Sequence, residues 1–182
     1  MANYLPGKGI LEVLHAMDIL SRKRDLPPYE LNGYGSWDSE NYRAQCEDIA
    51  EKLPNVQLHN SVGGDAKWKV LADSDIFVFA PGLSEGHPWS IVEALAAGLP
   101  VISTDRGAIA QSVKDGETGF LLTDPDPEIL AEKLEILIRD NDLRKRMGDK
   151  SHEMYVAGFT ADAMVRNLGK VFNQILQRSC AE

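Results

Sequence analysis

The chain has 182 residues, 43% of them hydrophobic and 26% charged, with a formal net charge of −9 and an isoelectric point near 4.9. That length suits one domain able to bury about 70% of the surface its unfolded chain exposes, and the composition is that of a globular protein rather than a disordered one. The acidic balance argues against nucleic acid as a main partner and against a basic membrane-binding face. From Lys8 to about Ser21, Ile10, Val13, Leu14, Met17 and Leu20 recur at helical spacing. Residues 28–35, PYELNGYG, read as a strand ending in a glycine turn. A helix from about Ser39 to Lys52 precedes the strand VQLHNSV (56–62), and a short helix from Asp65 to Ala72 precedes DIFVFAP (75–81). The last is a continuous apolar run, as expected of a strand covered on both faces. A helix then begins at Pro88, which suits a first turn, and ends at Gly98. PVISTD (100–105) and GFLLTD (119–124) are the last strands, followed by helices of about 127–140, 142–155 and 160–178. This alternation predicts an α/β fold with one doubly wound parallel sheet, in which ligands bind beyond the carboxyl ends of the strands.

No apolar run approaches the roughly 18 residues of a membrane span, and the N-terminus lacks the regions of a signal peptide. Cys46 and Cys180 have no metal-ligand spacing, which favours a reducing, cytoplasmic setting over a disulfide scaffold.

The ligand-edge rule sorts the motifs. Asp73-Ser74-Asp75 has the Asp-x-Asp spacing that holds a divalent cation in some sugar-transferring enzymes, but it precedes a strand and so belongs to the opposite edge, as helix and strand caps. No metal is expected. GYGSWD (33–38) matches two glycines of a dinucleotide fingerprint and has Asp38 where the third would stand. Gly33 is therefore read either as part of a tight turn or as part of a ligand-facing loop. Lys8 stands at the start of the first helix, where amides and dipole favour an anion; a solvated lysine is the other reading.

Glu85 follows DIFVFAP by a few residues, in a loop at the ligand-binding edge. Glu93 is the only charge between Pro88 and Leu99, on a helix so apolar that its one acid must emerge at a defined edge. The two carboxylates can border one crevice, where they would accept hydrogen bonds from the vicinal hydroxyls of a sugar or ribose. An ordinary surface pair is the alternative.

Residues 84–122, SEGHPWSIVEALAAGLPVISTDRGAIAQSVKDGETGFLL, resemble the donor-binding half of the retaining glycosyltransferases of the GT-B fold called group 1. The carriers are Glu-x7-Glu, the EALAAGLPVI run and DGETGFL, and the likeness extends from KGI (8–10) to about MGDKSHE (147–153). The resemblance implies a Rossmann-like domain and a nucleotide-diphosphate sugar as donor substrate, with no other cofactor. It implies that Glu85 contacts the donor-sugar hydroxyls, that Glu93 binds the ribose, and that Lys8 binds the diphosphate. Backbone from Gly86 through His87 and Trp89 to Ser90 would face the sugar and phosphates, and the loop at Ser61 and Val62 would meet the base.

Two departures stand out. Many members have an arginine five residues before the lysine, gripping the diphosphate; here Asn3 stands there, which removes a bidentate anion contact. The turn after the first glutamate often reads Phe-Gly in the family, where this chain has His87-Pro88, and proline offers no amide.

Helix 8–21 should follow a strand in the middle of the sheet, and MANYL is too short to be that strand in full. Residues 1–182 are thus read as the C-terminal, nucleotide-sugar-binding domain of a longer enzyme, with a helical extension over about 127–178 that wraps the sheet. The acceptor-binding N-terminal domain of the same enzyme would be its partner, and a homodimer a possible state of the chain in isolation. The expected activity is retaining transfer of a sugar to an acceptor hydroxyl, absent from this chain alone, in the cytoplasm or at the membrane periphery through the full-length enzyme. Rival readings are a nucleotide-sugar epimerase domain of the same fold and a non-catalytic nucleotide-sugar-binding module; a nicotinamide oxidoreductase would need a fuller glycine fingerprint.

Overall fold

The computed structural model describes residues 3–179, the side chains through residue 176. In chain order the elements are α1 (Ile10–Ser21), β1 (Leu31–Gly35), α2 (Glu40–Ala50), β2 (Val56–Asn60), α3 (Gly64–Ala72), β3 (Phe77–Phe79), α4 (Trp89–Ala96), β4 (Val101–Thr104), β5 (Gly119–Leu122), α5 (Pro127–Arg139), α6 (Asn141–Gly158) and α7 (Ala161–Ser179), with one 3-10 turn at Ile109–Gln111. The predicted elements all form. The 3-10 turn is an addition, lying in a segment too short for a helical period to show.

Helix starts follow local chemistry. The Ser39 side chain accepts from the Tyr42 amide at 3.3 Å, and Asp140 accepts from the Leu143 amide at 2.8 Å. Asp126 accepts from the amides of Glu128 and Ile129 at 2.8 and 3.1 Å, with Pro127 in the first turn. Each such bond satisfies a first-turn amide that has no intrahelical partner.

Every strand pairing is parallel, as predicted, but the sheet is not continuous. β1 pairs with β2, Leu31 opposite Val56 through Gly35 opposite Asn60. Separately, β4 lies between β3 and β5, with Phe77 opposite Val101 and Val101 opposite Gly119. The expected single sheet is thus a two-stranded and a three-stranded piece. β1 and β3 do not pair with each other because a cavity of about 580 Å³ separates them, lined on one side by Leu31 to Tyr34 and on the other by Ile76 to Ala80.

β3 and β4 are covered on both faces, which is why their sequences read as nearly unbroken apolar runs, whereas β1 and β2 carry exposed polar residues such as Asn32 and Gln57. Ile102 and Val78 point to one core, with Leu14, Met17 and Leu20 of α1, Cys46 of α2 and Leu130, Leu134 and Leu137 of α5. Val101, Phe77 and Phe79 point to the other, with Ile91 and Leu95 of α4 and Met154 and Tyr155 of α6. Burial at Cys46 pushes its thiol up to about 11, so it stays protonated and unreactive near neutral pH. Cys180 lies outside the described residues.

Among the predicted helices of the C-terminal stretch, α5 packs on α1 and α6 on α4. α7 departs from the expectation that all three wrap the sheet. It packs against α6 and leaves Val165, Leu168, Val171 and Phe172 exposed. No helix among the described residues is long and apolar enough to cross a membrane.

Candidate functional site

The carboxyl ends of the strands open onto a cavity of about 240 Å³, lined by Asn3, Tyr34, Gly35, Ser61, Val62, Lys67, Trp89, Ser90 and Glu93. Strand ends and helix starts build it: Tyr34 and Gly35 end β1, Ser61 and Val62 follow β2, and Trp89 and Ser90 open α4. Pro88 caps α4 with extended backbone and no side-chain cap, and its carbonyl accepts from the Ile91 amide at 3.1 Å. Ser90 is buried, whereas Trp89 is 79% exposed and stands at the rim.

Glu93 lies one turn into α4 and is half-buried, its carboxylate accepting from the Lys67 ammonium. Glu85, in the β3–α4 loop, accepts from the Lys8 ammonium in the same way. Side-chain exposures of 27% and 13% in the Lys8–Glu85 pair, and 23% and 21% in Lys67–Glu93, separate these two from rim pairs such as Lys52–Asp48 at 67% and 70%. A fully solvated pair is screened and is worth about 0–1 kcal/mol. These two pairs hold four charges in partly desolvated positions, where geometry counts for more.

Two glycines fix this loop and helix start. Gly9, with φ +88°, caps α1 so close to β3 that a Cβ there would lie 2.1 Å from the Ala80 carbonyl oxygen. Gly107, with φ +63°, packs under the Glu85 loop, where a Cβ would lie 1.7 Å from the Glu85 carbonyl oxygen. Both positions need the left-handed conformation and the missing side chain together. The Ala108 amide then donates to the carbonyls of Glu85 and Gly86 at 3.1 and 3.2 Å, which ties the loop to the segment after β4.

The predicted residues thus fall into three groups. Ser61, Val62, Trp89, Ser90 and Glu93 share the cavity. Lys8 and Glu85 are paired with each other outside its lining, and Gly86 follows in the exposed part of the loop. Gly33 is placed differently from the sequence reading, and His87 stands in the exposed loop after Glu85. Gly33 lies inside β1, opposite Leu58 of β2, in neither a turn nor a loop; Gly35 is the glycine that reaches the cavity. A Cβ on Gly33 would meet the Tyr4 hydroxyl at 2.8 Å and Leu58 at 2.9 Å, so its smallness serves packing. The His87 ring bonds the Ser112 hydroxyl and meets Phe159 edge-on at 5.2 Å, anchoring the loop to the layer beneath.

Lys67 is the residue the sequence reading missed. It sits on α3 beside Trp68 with Lys69 two positions on, and no pattern in GGDAKWKVLA tells which lysine turns toward Glu93. Asn3, which stands where an arginine was expected, lines the cavity with an uncharged amide. Asp73 caps the C-terminus of α3 and Asp75 precedes β3, at the opposite end of the strands.

Comparison with known proteins identifies the family. The sequence model of the family "Glycosyl transferases group 1" matches residues 1–154. The capsular polysaccharide biosynthesis glycosyltransferase CapM of Staphylococcus aureus is 30% identical over 173 residues, covering 94% of this chain and 44% of that protein. The phosphatidyl-myo-inositol mannosyltransferase of Mycobacterium leprae is 30% identical over 142 residues, 78% of this chain and 36% of that one. The chain therefore spans less than half the length of these relatives. Among solved structures, Anabaena Alr3699/HepE in complex with UDP superposes with a TM-score of 0.82 at 18% identity, over 94% of this chain and 47% of that one. The C-terminal domain of the group 1 glycosyl transferase LpcC from Francisella tularensis gives 0.77 at 21% identity, over 88% and 84%. A cavity at the carboxyl ends of parallel strands, the two glutamates beside it and the match over most of the sequence lead to one assignment: the chain belongs to the group 1 glycosyl transferases.

Proposed function

We propose that the chain is the donor-binding domain of an enzyme that transfers a sugar from a nucleoside-diphosphate sugar to an acceptor hydroxyl with retention at the anomeric carbon. The observation that carries this is the placement of two lysine–glutamate pairs along one sheet edge, Lys67–Glu93 in the cavity and Lys8–Glu85 beside it. A nucleoside-diphosphate sugar carries hydroxyls at both ends and an anion between them, and this edge offers two carboxylates for hydroxyls and cations for the anion. The ribose belongs with Glu93, the base with the backbone at Ser61 and Val62, the diphosphate with Lys8 and the α1 start, and the donor sugar with Glu85 and Gly86. The HepE structure, solved with UDP, has the same fold and supports a nucleoside diphosphate here.

In the reaction the bond from the anomeric carbon to the diphosphate oxygen breaks and one to the acceptor oxygen forms, while the proton of the acceptor hydroxyl passes to an oxygen of the departing diphosphate. The negative charge gathers on the departing diphosphate. Lys8 and the first-turn amides of α1 stand where that charge develops, the arrangement by which fixed donors stabilise a leaving group. The acceptor is held by a second domain of the full-length enzyme.

The pair of variants Glu93→Ala and Glu85→Gln tests the division of labour. Loss of a hydrogen bond to a charged acceptor costs about 1.5–3 kcal/mol. Glu93→Ala should weaken binding of the free nucleoside diphosphate by that amount with little loss of thermal stability. Glu85→Gln should weaken the intact nucleotide sugar more than the free nucleoside diphosphate. Titration calorimetry reads both; unchanged affinity in the first, or equal losses for both ligands in the second, overturns the assignment.

Binding should also be independent of divalent cations, because Asp73 and Asp75 stand at the far end of the strands. Donor binding that EDTA abolishes and magnesium restores would refute this.

A further inference from the structure

The cavity at the carboxyl ends of the strands holds a cation that the ribose, base and donor-sugar contacts leave over. Among the described residues lining it, Lys67 is the one positively charged side chain, and Asn3 adds a neutral amide. Lys8 stands outside that lining, paired with Glu85. The Lys67 ammonium donates to Oε1 of Glu93 and lies 5.5 Å from the centre of the Trp68 ring. An ammonium carries three donors, and the bond to Glu93 takes one of them.

Local structure brings this lysine, and not Lys69, to the cavity. α3 starts at Gly64, and Lys67 lies in its first turn, just past the Ser61–Val62 loop that lines the same space. Side chains on a helix lean toward its N-terminus, so the Lys67 stem runs back toward that loop. Lys69, two positions on, is turned about 200° around the helix and is exposed. From the other side, α4 opens onto the cavity through Trp89 and Ser90, with the positive end of its dipole. The cavity thus joins one carboxylate suited to hydroxyls with a cation and a helix start suited to an anion. A nucleotide has the same two chemistries side by side, because its 5′-phosphate is joined to the ribose through a single carbon. When the ribose hydroxyls take Glu93, the phosphate is held about one sugar's length away, within reach of lysine's flexible four-carbon stem.

We infer that Lys67 is a phosphate-binding residue: in the nucleotide complex its ammonium passes from Glu93 to the phosphate attached to the ribose. The diphosphate then runs from Lys67 at its ribose end to Lys8 at its sugar end. The exchange leaves no charge bare. Glu93 gives up an ammonium and accepts hydroxyls, while Lys67 gives up a carboxylate and gains an anion, and both side chains are only 21–23% exposed, where an unpaired charge is costly. The smallest ligand that satisfies the whole cavity is therefore a nucleoside 5′-monophosphate. A nucleoside frees Lys67 and gives it no anion, and inorganic phosphate takes Lys67 and leaves Glu93 without a donor. The inference rests on the reading of Glu93 as the residue that binds the ribose.

The test is titration calorimetry of the chain and of its Lys67→Met and Glu93→Ala variants with the uridine and guanosine series, each as nucleoside, 5′-monophosphate and 5′-diphosphate. In the parent the first phosphate should tighten binding at least about tenfold, as a charge-assisted contact does. Lys67→Met should remove most of that gain while nucleoside affinity stays within about twofold of the parent's. Equal losses for nucleoside and monophosphate in Lys67→Met would mean that the lysine only steadies Glu93, and an undiminished phosphate gain would mean that the anion lies elsewhere. Either result overturns the inference and leaves the ribose reading standing. If Glu93→Ala binds every ligand as the parent does, or the parent binds neither series, the ribose reading falls and the inference falls with it.

Discussion

Gly107→Ala is expected to lower stability by at least about 1–3 kcal/mol, the cost of holding a non-glycine residue in a sparsely populated backbone region, and to disable donor-sugar binding. At φ +63° the new Cβ would stand 1.7 Å from the Glu85 carbonyl oxygen. That neighbour is backbone, which cannot swing aside as a flexible side chain can, so the loop carrying Glu85 has to move. The Ala108 amide loses its two carbonyl partners, and Glu85 is carried away from Lys8. Gly158→Ala is the matched control, because a Cβ there meets nothing within 4 Å and the site lies elsewhere. Thermal unfolding and calorimetry with a nucleotide sugar decide the matter: a Gly107→Ala protein that melts and binds like the parent would show that the loop is not held by this contact.

The second large effect is an absence of turnover. The 182-residue chain by itself should bind a nucleotide sugar and transfer nothing. The site is open: Trp89 stands 79% exposed at its rim and Gly86 lies in an exposed loop. Transfer needs an acceptor hydroxyl held against the anomeric carbon, and such positioning is worth up to about 7–11 kcal/mol of barrier. Without it, turnover should stay near background. The check is incubation with nucleotide sugars and candidate acceptors, followed by mass spectrometry of the products. Acceptor-dependent product at ordinary enzymatic rates would show that these residues suffice.

What the sequence made legible was whatever a local pattern encodes. Runs such as DIFVFAP and the periodic apolar residues of 8–21 placed strands and helices because burial on one or both faces sets their spacing. Glu85 and Glu93 were legible because a carboxylate in an apolar stretch calls for a partner. Contacts between distant segments were not legible. Gly107 lies 22 residues from the loop it supports, His87 lies 25 from the Ser112 hydroxyl it bonds, and Lys67 lies 26 from Glu93. Each depends on how two elements lie across the sheet, which no single window contains. Gly33 misled for a related reason: GYG looks like a turn, yet the side chain that demands its smallness comes from Tyr4, a bridge partner of the strand's continuation. The break in the sheet belongs to the same class, since strand order is a property of the assembled layers.

The two lysine–glutamate pairs carry a consequence for selectivity. Each carboxylate has its own cation, so each pair is formally neutral. An incoming bare anion, such as inorganic phosphate, can recruit Lys8 only by stripping it from Glu85, whose side chain is 13% exposed and would be left without a partner. A neutral sugar meets the opposite obstacle: it can approach the carboxylates but offers nothing to the ammonium groups it displaces. Only a molecule that brings hydroxyls and negative charge together, at the right separation, replaces both halves of each pair at once. On the proposed function, the domain would discriminate against inorganic phosphate and free sugars through the mutual occupation of its own charges, with no need of a gate.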